Sequence, residues 1–549
     1  MARGRGGAWV VAAAAATVAI VAAAVGALAD GVELLDERLV FEIRARDVFS
    51  AEHPLLGMRS TASGVDNELN HPGPLYFELL ALFVRVLGGP VGVTIGVAAI
   101  NVAAVWLVAG AARSLGGPRV ALVMTTAAAV LGWTMGSELL VDPWQPQALV
   151  LPFLALLVAT AATLRGRPPW LFAVVVLASL CAQGNIGFLL VAVTLVLTAT
   201  AGIVVSARRA GRPLPWRRLA APGAVGVLVW LPPVVQQLFG PGRGNLAAIV
   251  TGAGADTARY GASIAVRLWA AVVADPPAWL RPGYDRSPPT APSVARDGTL
   301  TIDESGLPSS VVTALVVLTV AALATVAAVS ARRHGGDSTA AALVVVVVAT
   351  VTAVVTVALL PQDFFGVVPY KYRFLWPLAA FTWGVLVSHA LGRIARAGPP
   401  VVRRLTIVVP LAIAVVAAAL TLPPRLQPQL DGTSRDVWPS VAALRRDVAA
   451  LELAGPVLVE ADGITFPDYF TYAVLAELRR RDIPFQVSDE VLVRQLGEGR
   501  RADGTAATRL LVRVGGTAEP PPDAATVAFV DGRLPELTAA VYASAPSRP

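Results

Sequence analysis

Residues 8–47 read AWVVAAAAATVAIVAAAVGALADGVELLDERLVFEIRARD. The run over 8–29 carries no charged side chain and is long enough to cross the hydrocarbon of a bilayer, which takes about 20 apolar residues. The chain then changes character. Seven of the fourteen residues from Leu34 to Asp47 are charged, in a protein whose charged content is 15%. An apolar span that ends in a cluster of acids and bases sets the question of what the membrane edge is for.

Working outward, the same span signal recurs. The 549 residues are 55% hydrophobic with a mean hydropathy of +0.65, too apolar for a single soluble domain. Apolar runs fall near 8–29, 91–112, 120–141, 148–164, 170–182, 188–207, 219–238, 309–331, 338–360, 373–392 and 405–422. A net charge of +7 would suit a nucleic-acid partner, but the arginines sit in short clusters between apolar runs, as membrane topology places them. No nucleic acid is expected. One cysteine, Cys181, excludes an internal disulfide.

The arginine clusters (3/5, 113/119, 165/167, 208–218, 332/333 and 393–404) occupy alternate loops. The positive-inside rule makes these cytoplasmic, with the N-terminus inside and the C-terminus outside, a parity that eleven spans satisfy. The segment 74–88, PLYFELLALFVRVLG, is short and carries Glu78 and Arg85 on one face, which predicts an amphipathic helix lying at the interface. The start of the chain also resembles a signal peptide, although its apolar core exceeds the ~7–15 residues usual for one. The expected organisation is a transmembrane domain over 1–423, with outer loops at 30–90 and 239–307, followed by an extracytoplasmic α/β domain over 424–549. In that last part GPVLVEAD, IPFQVS, TRLLVRV and TVAFVDG read as strands and FPDYFTYAVLAELRRRD as a helix. GEGRRADG reads as a solvated loop rather than a phosphate-binding fingerprint.

The spans are almost free of ionisable residues, whereas ion-coupled transporters commonly carry such groups near the midplane. The chemistry is therefore expected in the outer loops. Over 38–47 the pairs Glu42/Arg46 and Arg44/Asp47 fall at helical spacing and can satisfy one another, with Leu39, Val40 and Ile43 toward lipid. Asp36 and Glu37 have only Arg38 beside them, and sequence neighbours do not face each other on a helix. An acid without a local partner at an apolar surface is a candidate general base; otherwise it is a polar flank to the span.

A first span followed at once by DE, an interfacial helix, and then NHPGPLYFELLA (70–81) resembles the GT-C integral-membrane glycosyltransferases. The likeness is to the branch of protein O-mannosyltransferases and lipid A aminoarabinose transferases, and covers about residues 8–400. It implies a polyprenyl-phosphate-linked sugar as donor, a cell-envelope glycan, lipid or protein as acceptor, and an acid early in the first outer loop acting on that acceptor. Carried over, Asp36 is the first choice for the base and Glu37 its neighbour. Asp142, in SELLVDPWQPQ, matches a second acidic site, although a residue before proline also suits a turn. In PQDFFGVVPYKYRFLWPLAAF, Lys371 (the only lysine of the chain) and Arg373 oppose the topological trend. With Tyr372 they suit the donor phosphate, while snorkelling bases beside aromatics are an ordinary interfacial anchor. His71 and Gln183 are candidate substrate contacts, and Arg259, Tyr260, Arg267 and Trp269 could line a cleft.

No spacing marks a metal site, but Asp36, Glu37 and Asp142 are oxygen ligands that would suit a divalent cation. The reading is a membrane glycosyltransferase in the cytoplasmic membrane. The alternatives are a transporter or flippase of lipid-linked saccharides, and a non-catalytic membrane scaffold whose outer domain binds a glycan or partner.

Overall fold

The computed structural model describes residues 7–61, 63, 69–252, 258–274, 292–294, 300–302, 304, 306–362, 366–422, 433–462, 468–516, 519–531 and 538–544. The chain divides into two compact units. One comprises Met1–Gly26 with Val97–Gln427, the other Ala27–Gly96 with Pro428–Pro549. The sequence assigns 30–90 to the transmembrane domain as an outer loop; in the structure that segment packs with the C-terminal part. The reason is a set of ion pairs with partners more than 400 residues away, described below.

Among the described residues of the chain, ten helices are long and apolar enough to cross a membrane, from Ala8–Ala29 to Pro400–Thr421. The eleventh expected span, 170–182, is the helix Trp170–Gly184, apolar but only 15 residues long. This is a multi-pass membrane protein, and its side chains are sorted accordingly. Ala8–Ala29 turns Ala12, Ala16, Ala19 and Ala23 inward and leaves Val18, Val21 and Val25 outward. Small residues let helices approach closely, while the β-branched face costs nothing against lipid. Helix Gln145–Leu164 is buried almost throughout and forms the centre of its unit. Pro118–Leu139 contains a kink where Gly136 takes φ 82°, a left-handed value that glycine adopts without a Cβ clash. Ile264, Leu268 and Val272 recur every four residues on one face of a helix, Gly261–Ala274, and all three are buried. Of residues 239–307, those at 253–257, 275–291, 295–299, 303 and 305 lie outside the described residues, and β1 (Pro292–Val294) pairs antiparallel with β2 (Leu300–Ile302).

The second unit is built on a five-stranded mixed sheet. Its strands are β3 (Val457–Ala461), β4 (Phe485–Val487), β5 (Thr508–Val514), β6 (Ala525–Val530) and β7 (Ala539–Ser544), in the order β4-β3-β5-β7-β6. β3 runs parallel to β4 and β5, and β7 antiparallel to β5 and β6. β3 to β6 and the helix Phe470–Arg480 follow the predicted pattern; β7 and the helices Thr433–Ala450 and Glu490–Leu496 were not read from the sequence. Helix Arg38–Asp47 packs against Leu75–Leu87 and Phe470–Arg480. Leu39, Val40, Phe41 and Ile43 are all fully buried there, so the face expected to meet lipid is covered by protein. Leu75–Leu87 keeps an apolar face in the open instead, with Leu82 and Val86 exposed and Leu80 and Val84 buried.

Candidate functional site

In the second unit the charged stretch splits as its spacing predicts. Arg44 and Asp47 pair at 2.9 Å, Arg46 and Glu42 at 3.4 Å. Those pairs do more than satisfy one another. Asp47 is fully buried and also receives Arg500 at 2.8 and 2.7 Å and Arg479 at 2.7 Å. Arg44 donates to the Leu496 carbonyl across Gly497, whose φ of 102° admits this approach. Burial pushes the Arg44 guanidinium down to about 10, with Asp47 opposing. GEGRRADG is exposed at Glu498, Gly499, Arg501, Asp503 and Gly504, as a solvated loop should be, but Arg500 departs from that reading: its guanidinium is buried and stacks on Phe485 at 4.2 Å.

Asp36 has a partner after all. It sits before the helix with φ 51°, a conformation that aspartate tolerates, and closes an Asx turn by accepting from the Arg38 backbone N–H at 3.1 Å. The turn brings the Arg38 guanidinium back onto both carboxylate oxygens, at 3.2 and 3.0 Å. The rule that sequence neighbours do not meet holds only within a helix, and Asp36 lies outside one.

Glu37 is held differently. Its Oε1 accepts from Gln495 Nε2 at 3.1 Å, while Gln495 Oε1 accepts from the Arg59 N–H at 2.9 Å. Burial pushes the Glu37 carboxyl up to about 7, the Asp36 charge adds to the rise, and Arg38, Arg59 and Gln495 hold it down. Close by, burial raises Asp468 and Tyr472, and Asp36 contributes to both shifts. Asp468 caps the helix Phe470–Arg480 by accepting from Phe470 and Thr471 N–H groups at 3.1 and 2.9 Å. The Asp36–Glu37 pair is thus framed by Gln495, Tyr472 and Asp468, none of which the sequence suggested.

Asn70 and His71 lie in this unit too. Asn70 Nδ2 donates to Gly57 and Arg494 carbonyls at 3.0 and 2.9 Å. His71 is buried, its backbone pairs with Gly57 and Met58, and burial pushes its ring down to about 4. It is neutral at physiological pH, so any contact with substrate would use a neutral imidazole.

In the first unit, residues far apart in sequence meet at one end of the helices. Trp144 packs on Tyr370 with centroids 4.9 Å apart, and Phe188 bridges Phe153 and Phe374 at 5.2 and 5.6 Å. Lys371 Nζ donates to the Gly366 carbonyl at 2.9 Å and the Tyr260 hydroxyl at 3.3 Å, with the Tyr260 and Tyr370 rings about 6 Å away. Tyr260 in turn donates to the Gly366 carbonyl at 2.5 Å. Of the three predicted phosphate contacts only Lys371 keeps appreciable exposure. Tyr372 and Arg373 are buried, and Arg373 lies 4.3 Å over the Trp376 ring. Arg267 pairs with Glu304.

Asp142 is buried and accepts from the Trp144 N–H at 2.9 Å, the turn its position before proline suggested. Gln183 is fully buried and donates to the Val229 carbonyl at 2.7 Å. In the helix Trp216–Phe239 that carbonyl would ordinarily bond to residue 233, which is proline and has no N–H. Gln183 therefore supplies the donor that Pro233 lacks.

No cluster of three or more His, Cys, Asp or Glu side chains among the described residues is arranged for a metal. Asp36 is paired with Arg38 and Glu37 accepts from Gln495, and no step below uses a divalent cation.

The described chain is a bundle of membrane helices and a small sheet-bearing unit, with a short helix following the first span in sequence. No family model matches the chain, and no curated protein matches it in sequence. Among solved structures it is similar to ArnT from Cupriavidus metallidurans bound to undecaprenyl phosphate, at 15% identity and a TM-score of 0.58, over 98% of this chain and 100% of that one. It is also similar to ArnT from the same organism in the apo state, at 12% identity and a TM-score of 0.53, over 94% and 95%. The predicted resemblance to lipid A aminoarabinose transferases is borne out as a likeness of fold.

Proposed function

We propose that this chain is a membrane glycosyltransferase that moves a sugar from a polyprenyl-phosphate donor to an acceptor hydroxyl outside the cytoplasm. The observation that carries the reading is a fold shared over nearly the whole length of both chains with a protein solved bound to undecaprenyl phosphate. In the reaction, the acceptor O–H gives its proton to a carboxylate of the Asp36–Glu37 pair. Its oxygen forms a bond to the anomeric carbon as the bond from that carbon to phosphate breaks, the electron pair leaves with the phosphate oxygen, and configuration inverts.

Asp36 is the base that the resemblance implies. The electrostatics favour Glu37, because a base with a pKa near the working pH is the more effective one, whereas Asp36 is occupied by an ion pair with Arg38 at 3.0 Å. Lys371 is assigned to the departing phosphate. Tyr372 and Arg373, both buried, follow it in the chain, and Asp142 shapes the turn that carries Trp144 against Tyr370. The orientation we infer puts the arginine-rich loops inside, in the cytoplasmic membrane. The acceptor is a cell-envelope glycan, lipid or protein bearing a hydroxyl.

The test is transfer of radiolabelled sugar from decaprenyl- or undecaprenyl-phosphate donors in membranes holding wild type, Asp36→Asn or Glu37→Gln. Loss of transfer in at least one variant is expected. Full transfer by both would remove the pair from the chemistry, and no transfer by wild type from any such donor would sink the reading.

A further inference from the structure

At the end of the first unit opposite Lys371, a cavity of about 220 Å³ opens between the start of Pro118–Leu139, the turn joining Ser310–Arg333 to Asp337–Ala358, and the last turns of Leu375–Ala397. One water occupies about 30 Å³ of liquid, so the space takes a phosphate group together with some of its solvent. Its lining is one-sided in charge. Arg119 and Arg396 contribute two permanent cations, His334 and His389 two imidazoles, and no acidic side chain is among its lining residues. The nearest acid by sequence, Asp337, is paired with Arg165 at 3.4 Å.

The polar groups are those an anion requires. Thr339 Oγ1 meets His389 Nδ1 at 3.3 Å. When Thr339 donates, the proton of a neutral His389 ring sits on Nε2, a donor position. Ser388 Oγ is buried in the same wall and makes no hydrogen bond among the described residues. A buried hydroxyl without a partner loses free energy unless a ligand or solvent supplies one. Two arginines that recognise phosphate through paired N–H groups, held at a membrane edge, complete the set.

We propose that this cavity is an anion site that takes a phosphate group, either the headgroup of an anionic phospholipid or a soluble phosphate. Basic pockets between membrane helices are suited to lipid headgroups, and this one lies among the loops that the arginine distribution places inside. The proposal stands apart from the transferase reading, since it uses the other end of the helices.

The test uses the full chain in a neutral detergent, titrated calorimetrically with inorganic phosphate. In parallel, protein from nanodiscs containing phosphatidylglycerol or only phosphatidylcholine is examined by native mass spectrometry for retained lipid. Saturable phosphate binding, or selective retention of phosphatidylglycerol, is expected in wild type and identifies which source the site accepts. The double variant Arg119→Gln, Arg396→Gln should weaken that binding by about tenfold or more, as loss of charge-assisted hydrogen bonds requires. Arg396 is exposed, so its loss does not threaten the fold. Ser388→Ala, which removes only one hydroxyl, should weaken binding in the same direction. Absence of both kinds of binding in wild type, or binding unchanged by the double variant, would overturn the proposal.

Discussion

Arg500 grips Asp47 with two parallel hydrogen bonds of 2.8 and 2.7 Å, joining residues 453 positions apart. This contact ties Ala27–Gly96 to Pro428–Pro549 within one unit. Asp47 is the common anion for Arg44, Arg479 and Arg500. Asp47→Asn removes that charge and leaves buried guanidinium groups without it, at a cost of about 3–5 kcal/mol. The expected outcome is a lower unfolding temperature for the purified chain and faster proteolysis within 428–549. Unchanged proteolysis would mean that the apolar contacts of the helix Arg38–Asp47 hold this unit by themselves.

Gln183 and Pro233 give a test that separates structure from substrate contact. Gln183→Ala leaves the Val229 carbonyl without its donor, a loss of about 1–3 kcal/mol read as a drop in thermal stability. Adding Pro233→Ala restores an N–H at the position from which the helix itself bonds that carbonyl. The double variant should recover most of the lost stability. If Pro233→Ala deepens the loss, the assignment of Gln183 to that carbonyl is wrong.

The spans and the first four strands of the sheet were legible because hydropathy and alternation are local signals. The partners of the charged stretch were not, because nothing local in GEGRRADG marks Arg500 as buried against an acid four hundred residues earlier. Asp36 was misjudged for a smaller reason: a left-handed φ puts it off the helix, where Arg38 can fold back onto it. The bond from Gln183 to the Val229 carbonyl is not legible in the sequence, because nothing local connects Gln183 to a proline fifty residues on. At Glu37 the acid was visible, while the Gln495 amide that holds it and the burial that raises it belong to tertiary structure.

His71 makes an acid-stability prediction. Its ring is pushed down to about 4 from an ordinary value near 6.5, so between those values the unfolded chain binds a proton that the folded chain refuses. Stability from this residue is therefore full above pH 6.5 and lost as pH falls toward 4, by up to about 3 kcal/mol. His71→Gln should flatten that part of the unfolding profile relative to wild type. An identical slope in the two proteins would show that other groups carry it.

Glu37 sets the pH dependence of transfer. A base with a pKa of about 7 is active once deprotonated, so the rate should rise with pH and reach half its plateau near 7. Asp36→Asn removes the like charge that adds to the rise, and the midpoint should move to lower pH. Glu37→Gln should cost about 10²–10⁴-fold on the plateau above pH 7 and progressively less below it. A wild-type profile flat from pH 5 to 9 would leave the proton with Asp36 or another group.

Lys371 offers the sharpest separation of binding from chemistry. Its ammonium is fixed by the Gly366 carbonyl and the Tyr260 hydroxyl, yet it remains partly exposed, so Lys371→Gln should leave the fold intact. A cation that meets the donor phosphate only in the ground state would raise KM and spare kcat. One that stabilises the phosphate as it departs acts on the transition state and lowers kcat as well. The proposed role requires the second pattern, with kcat down by about tenfold or more and partial recovery in Lys371→Arg, which restores charge but not shape. Tyr260→Phe loosens the ammonium without removing it and should show a weaker version of the same loss. Wild-type kcat in Lys371→Gln would take this residue out of the transfer step, leaving the aromatic cluster around it as an interfacial anchor.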